Sequence, residues 1–117
     1  MDLDTLTSYA LAKPGATHDF PFGADTLVAR VLDKMFALVA LDGPPRVNLK
    51  CDPGDAEALR ATYAAVTPGY HQDHRHWNTV ALDGTIPDAE LLELVDQSYA
   101  LVVAKLTRAQ RALLLER

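Results

Sequence analysis

The sequence is organised around one segment, Pro68-Gly69-Tyr70-His71-Gln72-Asp73-His74-Arg75-His76-Trp77-Asn78-Thr79-Val80. It contains the only Trp of the chain and three of its four His residues. The segment opens with Pro-Gly, which signals a turn, and closes with residue types that favour a strand. The polar, ring-rich part between turn and strand is costly to order unless another part of the chain packs against it.

The residues before this segment predict a helix followed by an antiparallel meander. Apolar residues three to four positions apart predict a helix over 3–12. Residues 17–22 predict a short edge strand, because Pro21 cannot donate to a central ladder. Three further strands with short connections are predicted at 26–32, 35–41 and 46–51.

The last of these strands alternates cleanly between apolar and polar side chains. Val47, Leu49 and Cys51 point to one face, and a polar set points to the other: Arg46, Asn48 and Lys50. On the strand predicted at 76–82, we expect His76 and Asn78 to join the polar set. The large Trp77 is expected to pack under the helices rather than to stack on a base.

Three helices are predicted in the second half of the chain. Asp52-Pro53 begins one, with Asp52 as the N-cap and a buried stripe of Ala56, Leu59, Tyr63 and Val66. A long helix runs from Ile86-Pro87-Asp88 to about Lys105, with its buried face at Leu91, Leu94 or Val95, Ser98, Val102 and Leu106. A short helix over 107–116 is capped by Thr107. The predicted class is α+β in the order α-β(3-4)-α-β(1-2)-α, with helices on one face of an antiparallel sheet in a single domain, 1–117.

Charge is unevenly distributed along an acidic chain. The net charge is −5, the pI is about 5.2, and 49% of the residues are apolar. Residues 81–96 contain five acidic residues and no Lys or Arg, whereas the C-terminal end is basic. The N-terminal residues lack the basic start and apolar run of a signal peptide, and no run approaches the ~20 apolar residues of a membrane span. We therefore expect a cytoplasmic protein with no membrane contact, and the lone Cys51 is expected to be a buried, inert thiol.

The central segment resembles the signature of the MmcQ/YjbR-like family of small bacterial proteins. Further stretches fit the same family at Phe20-Pro21-Phe22-Gly23, at 34–39, at 47–53 and at 98–106. The resemblance implies an α+β sandwich similar to frataxin-like and secretion-chaperone-like folds, and a DNA-binding role in which two β-hairpin wings contact DNA. The wings would be the turns at 32–34 and 42–46, where Asp33 and Asp42 would face phosphates.

The function favoured by these observations is a non-enzymatic module that contacts DNA weakly. Arg and Lys can contact phosphates, and Asn can pair with adenine edges. The candidate binding residues lie on the polar sheet face, around it and in the basic C-terminal end: Arg46, Asn48, Lys50, Tyr70, His71, Arg75, His76, Asn78, Arg108 and Arg111.

Three alternatives remain open. The same face or sheet edge could receive a protein partner, which would make the protein an adaptor. His74 and His76 on a strand, with His71 or Asp73, could bind a metal or small ligand, although ordinary surface roles explain them more simply. His71 or His76 could act as a catalytic base, but the common nucleotide-binding and nucleophile motifs are absent. The sequence therefore predicts no cofactor, no metal and no catalytic residue.

Overall fold

The computed structural model describes residues 1–115, which form four helices and a six-stranded antiparallel sheet. The elements are α1 Leu3–Leu11, β1 Ala16–Asp19, β2 Thr26–Val31, β3 Lys34–Ala40, β4 Arg46–Lys50, α2 Pro53–Thr62, β5 Val66–Pro68, β6 Trp77–Ala81, α3 Asp88–Ala104 and α4 Arg108–Leu115. The strands lie in the order β1-β2-β3-β4-β6-β5. The predicted α+β class is confirmed, and Glu116, placed by the sequence in the last helix, lies outside the described residues.

Most predicted elements are present, and the largest boundary changes are at β1 and α2. The meander is β2, β3 and β4, and β1 is an edge strand that ends at Asp19, before Pro21. The helix predicted to bury Val66 ends earlier, because the backbone of Tyr63 is extended. Val66 instead opens β5, where it pairs with Val80.

A row of apolar side chains crosses the helix-covered face of the sheet. Antiparallel pairing puts opposed residues on the same face. The register places five of them side by side across β2, β3, β4, β6 and β5: Leu27, Val39, Val47, Val80 and Val66. α3 covers this row with the stripe predicted for it, in which both Leu94 and Val95 are buried. Of the helices in residues 1–115, none is long and apolar enough to span a bilayer.

Ser98 joins β3 and β4 beside a β-bulge in β3. β3 carries one extra residue near Phe36, where the register with β2 shifts. The fully buried Ser98 hydroxyl donates to the carbonyl of Phe36 at 2.5 Å and accepts from the amide of Lys50 at 2.9 Å. The long helix is therefore bonded to both central strands, β3 and β4, beside the bulge that shifts the register between β2 and β3.

The register between β4 and β6 decides which side chains share the face away from the helices, here called the open face. Asn48 lies opposite Thr79, and Lys50 lies opposite Trp77, so these four residues share the open face. Asn78 lies opposite Leu49, on the helix-covered face. The expectation that Asn78 accompanies Asn48 is therefore wrong.

Trp77 is buried, but it does not pack under the helices. It is 8% exposed and belongs to a second apolar cluster with Val28, Leu38 and Met35 on the open face. Its predicted burial is confirmed, and its predicted location is wrong. The open face is therefore partly apolar, and part of it is covered.

Candidate functional site

A loop formed by residues 69–76 folds over the open face and is tied to it by polar bonds. The amide of Tyr70 donates to Thr79 Oγ1 at 2.9 Å, and that hydroxyl donates to Asn48 Oδ1 at 2.6 Å. Asn48 Nδ2 donates to the carbonyl of Tyr70 at 3.0 Å. Asn48 and Thr79 are buried beneath this connection, so Asn48 positions the loop rather than facing solvent.

Gly69 allows the loop to approach β6 closely. Its amide donates to the carbonyl of Trp77 at 2.9 Å. A Cβ at this position would lie 2.7 Å from Trp77 Cβ and 3.0 Å from the carbonyl oxygen of Trp77. The loop therefore cannot keep this path with a larger residue at position 69.

Asp73 holds the rest of the loop in shape. One carboxylate oxygen accepts from the amide of Arg75 at 2.9 Å, and the other lies 2.6 Å from His76 Nδ1. The bond to His76 is the main cause that lowers the pKa of Asp73 below its ordinary 3.8. His71 adopts a positive φ of 60°, and its ring centroid lies 4.0 Å from that of Tyr70.

The loop forms one wall of a pocket of about 320 Å³ on the open face. The floor consists of two neighbouring rungs of the sheet, with Thr26, Ala40 and Arg46 in one and Leu38 and Asn48 in the next. The first wall is formed by Tyr70, His71 and Gln72, and Phe22, in the connection between β1 and β2, lines the other side. This volume lies within the range of small-ligand sites.

Two aromatic rings of the lining are largely open to solvent. Phe22 is 62% exposed and Tyr70 is 65% exposed. Tyr70 is tied to the sheet through its main chain, so its ring is not needed for those bonds. The pocket therefore offers flat apolar surfaces from loops on both sides of its floor.

Arg46 gives the pocket a permanent positive charge. Its Nη1 donates to the carbonyls of Pro44 at 3.1 Å and Asp42 at 3.3 Å, which fixes the guanidinium beside the floor. Within residues 1–115, no hydrogen bond or ion pair occupies its Nε or Nη2. No Asp or Glu is among the described residues that line the pocket. The arrangement suits a planar ligand that carries a negative charge.

The structure thus brings together four of the ten predicted binding residues, namely Arg46, Asn48, Tyr70 and His71. The others do not line this pocket: Lys50, Arg75, His76, Asn78, Arg108 and Arg111. Arg75 is exposed at the far side of the loop, and Arg108 and Arg111 are exposed on α4. His76 precedes β6 and its ring is bonded to Asp73, so its expected place beside Asn48 is wrong.

Lys50 lies on the open face, four residues along β4 from Arg46. Burial lowers the pKa of its ammonium group, and repulsion from Lys105 and Lys34 adds to that effect. Lys34 and Lys105 are therefore close enough to repel Lys50, and the carboxylate of Asp73 offsets part of that repulsion.

Asn78 has a structural role on the helix-covered face. It is 2% exposed, and its Nδ2 donates to the carbonyl of Ala56 at 3.3 Å, which connects β6 to α2. Its Oδ1 has no partner among the described residues. Asn78 also borders a cavity of about 10 Å³, roughly the size of one water molecule.

The strand geometry proposed for a His metal site is absent. β6 begins at Trp77, so His74 and His76 both precede the strand. In the part of the chain that the structure describes, no group of three or more His, Cys, Asp and Glu side chains is placed to hold a metal ion. Cys51 is buried as predicted, and that burial raises the pKa of its thiol.

Sequence reasoning missed five of the nine lining residues: Thr26, Leu38 and Ala40 in the floor, and Phe22 and Gln72 at the sides. Phe22 falls in the edge strand predicted at 17–22, but it lies in the connection between β1 and β2. An aromatic residue beside Pro and Gly in a connection was the available signal. No sequence pattern indicated Gln72, because only the path of the loop brings it to the pocket.

Together these features define a class of α+β protein with an antiparallel sheet, helices on one face and a loop-walled pocket on the other. The chain matches the YjbR family over residues 11–101 and belongs to that family. The resemblance found in the sequence is therefore confirmed.

Relatives in other bacteria share both the sequence and the fold. YjbR of Escherichia coli K12, an uncharacterised protein, is 38% identical over 117 residues, which is 99% of this chain and 99% of that protein. The crystal structure of Deinococcus radiodurans DR2400, a DUF419 domain, has a TM-score of 0.89 and 42% identity, covering 97% of this chain and 87% of that one. A Pseudomonas syringae protein structure has a TM-score of 0.75 and 27% identity, covering 87% of this chain and 99% of that one.

Proposed function

We propose that this protein is a non-enzymatic module that binds nucleic acid weakly through the open sheet face. The observation that carries the proposal is the pocket itself, with the cationic Arg46 beside the floor and the exposed rings of Phe22 and Tyr70 at its sides. Stacking rings combined with cations are the usual means of binding nucleic acid without reading its sequence. The DNA-binding expectation from the family resemblance agrees with this surface.

The distribution of cations supports contact with a chain of phosphates. Arg46 and Lys50 stand about 13 Å apart along β4 at ~3.3 Å per residue. Lys34 and Lys105 lie near Lys50 and add positive charge at that end, and the carboxylate of Asp73 offsets part of it. Because the whole chain has a net charge of −5, this local attraction acts against an unfavourable overall field, so binding is expected to be weak and sensitive to salt.

Arg108 and Arg111 on α4 provide a second candidate contact. Both are exposed, and neither belongs to the pocket lining. If the basic C-terminal end also contacts phosphates, Arg111→Ala lowers the salt dependence of binding and leaves stacking unaffected. If only the sheet face is used, Arg111→Ala changes neither quantity.

Fluorescence anisotropy with labelled DNA tests the proposal. We expect binding at ~50 mM salt and a slope of log affinity against log salt of roughly −1.4 to −2.1, as two or three neutralised phosphates of a single strand give. Arg46→Gln should weaken binding several-fold. Arg75→Ala, which removes an exposed arginine outside the pocket, is the matched control. No binding to single or double strands at this salt would discard the proposal.

The second candidate function is a protein-interaction adaptor that uses the same face. It is favoured by the apolar floor at Leu38 and Ala40 beside the exposed Phe22, which would suit an apolar side chain of a partner. Affinity capture with and without nuclease separates the two functions. A partner that survives nuclease and is lost on both Lys50→Glu and Phe22→Ala supports the adaptor.

A further inference from the structure

We infer that the pocket receives one unpaired nucleobase, which makes single-stranded nucleic acid the ligand class of this face. This inference rests on the proposed function and specifies it. The pocket has a floor of strand residues and walls from two loops, so a flat group can enter between the walls and rest on the floor. Bases of an intact duplex are stacked and paired, and only a base outside the stack can enter such a cavity.

The chemistry of the lining agrees with a stacked base next to a phosphate. Phe22 and Tyr70 present rings that are mostly exposed, and every base has a flat face on which a ring can stack. Arg46 keeps donors on Nε and Nη2 that no described residue uses. With no described acidic residue in the lining, nothing there repels a phosphate attached to the bound base.

Asn48 does not select which base binds at this site. Both ends of the Asn48 amide are engaged by the protein, since Nδ2 donates to Tyr70 and Oδ1 accepts from Thr79. The pairing of Asn48 with adenine that the sequence suggested is therefore not available. Stacking and phosphate contact remain, and both tolerate different sequences.

The turns at the ends of the sheet disfavour a duplex. Asp42 is exposed in the connection between β3 and β4, whose carbonyls bond to Arg46. Asp33 is exposed in the turn between β2 and β3, at the opposite end of the sheet. Phosphates of a rigid duplex laid along the face would meet these carboxylates. A flexible single strand can place one base in the pocket and pass both turns at a distance.

Three labelled probes compared by anisotropy at ~50 mM salt test the inference. They are an oligothymidylate of about ten nucleotides, a strand of the same length without bases, and a blunt duplex. We expect the oligothymidylate to bind at least about ten-fold more tightly than either other probe, because only it offers an unpaired base for stacking.

Two variants locate the effect at the pocket. Phe22→Ala should reduce oligothymidylate affinity by about ten-fold and leave the base-free strand unaffected. Phe20→Ala is the matched control, because Phe20 is an exposed phenylalanine two residues away that does not line the pocket. Both rings are exposed, so both variants should fold, which circular dichroism checks.

The outcomes distinguish failure of the unpaired-base inference from failure of the proposed nucleic-acid binding. Equal affinity for all three probes, or equal losses in Phe22→Ala and Phe20→Ala, overturns the unpaired-base inference while nucleic-acid binding stands. The absence of binding to any probe overturns the proposed function together with the inference.

Discussion

At the residue scale, the molecule depends on the close approach of Gly69 to Trp77. This contact brings the loop of residues 69–76 onto the open face, and with it the ring of Tyr70. Pro-Gly in the sequence indicated a turn, but it did not indicate that the turn packs against the tryptophan eight residues later. That information lies in the path of the loop, which no local pattern encodes.

We expect Gly69→Ala to lower the free energy of unfolding by about 1–3 kcal/mol, the usual cost of overpacking a tight contact. The added Cβ would meet main-chain atoms of Trp77, which cannot move without shifting β6. Urea denaturation measures the change. Gly54→Ala is the control, because Gly54 is the second residue of α2 and has open space around it, so alanine there should not lower the free energy of unfolding. Equal stability of the Gly69→Ala variant and the natural chain would contradict this account of the loop.

The two asparagines show what strand alternation can and cannot predict. Alternation within β4 correctly put Asn48 on the face away from the helices. The relation between β4 and β6 depends on pairing register, and a shift of one residue exchanges the faces of every side chain. Asn78 is polar because it bonds to the carbonyl of Ala56 on α2, so its polarity gave a false indication of exposure.

At the element scale, α3 is connected to the sheet by a hydroxyl at the β-bulge. Sequence periodicity put Ser98 on the buried stripe of this helix, and the structure confirms it. Periodicity could not predict that its hydroxyl bridges Phe36 and Lys50, because the bulge in β3 is a feature of pairing.

Ser98→Ala should lower the free energy of unfolding by about 2–4 kcal/mol, since it leaves one buried carbonyl and one buried amide without their partner. Chemical denaturation measures the loss. Ser8→Ala is the matched control, because Ser8 is exposed on α1, and it should change stability by less than about 0.5 kcal/mol. Similar stabilities of the two variants would show that the bridge contributes nothing.

The loop of residues 69–76 should depend on pH through Asp73. Because the bond to His76 lowers the folded-state pKa of Asp73 below 3.8, the contribution to stability is present above that value and is lost as pH falls through the lowered pKa. Asp73→Asn should therefore be less stable than the natural chain at neutral pH, and the difference should close between about pH 4 and pH 2. Unfolding midpoints measured across this range test the effect.

Asp25→Asn, which changes an exposed aspartate in another loop, is the control for that series. The difference in stability between Asp25→Asn and the natural chain should not shrink over the same pH range. A stability gap for Asp73→Asn that persists unchanged to the lowest pH would mean that the ionised carboxylate is not what holds the loop.

At the scale of the whole molecule, the sequence predicted the α+β class, the meander and the long helix because these depend on local periodicity and turn chemistry. The pocket depends on two connections that meet over the sheet, and neither has a periodic pattern. This is why strand alternation indicated Arg46 as a site residue but did not indicate Phe22 or Gln72. The net charge could not predict the pocket either. The chain as a whole carries −5, yet no Asp or Glu is among the described residues that line the pocket.

If the open face binds nucleic acid and the helix-covered face does not, a bound oligonucleotide changes the environment of only one side of the sheet. A titration of the ¹⁵N-labelled protein with a short oligothymidylate, followed by amide chemical shifts, distinguishes the two faces. The largest shifts are expected on residues around Phe22, from Leu38 to Ala40, from Arg46 to Asn48 and from Tyr70 to Gln72. Shifts concentrated on α2 and α3, with those around Phe22 and Tyr70 unchanged, would contradict binding at the open face.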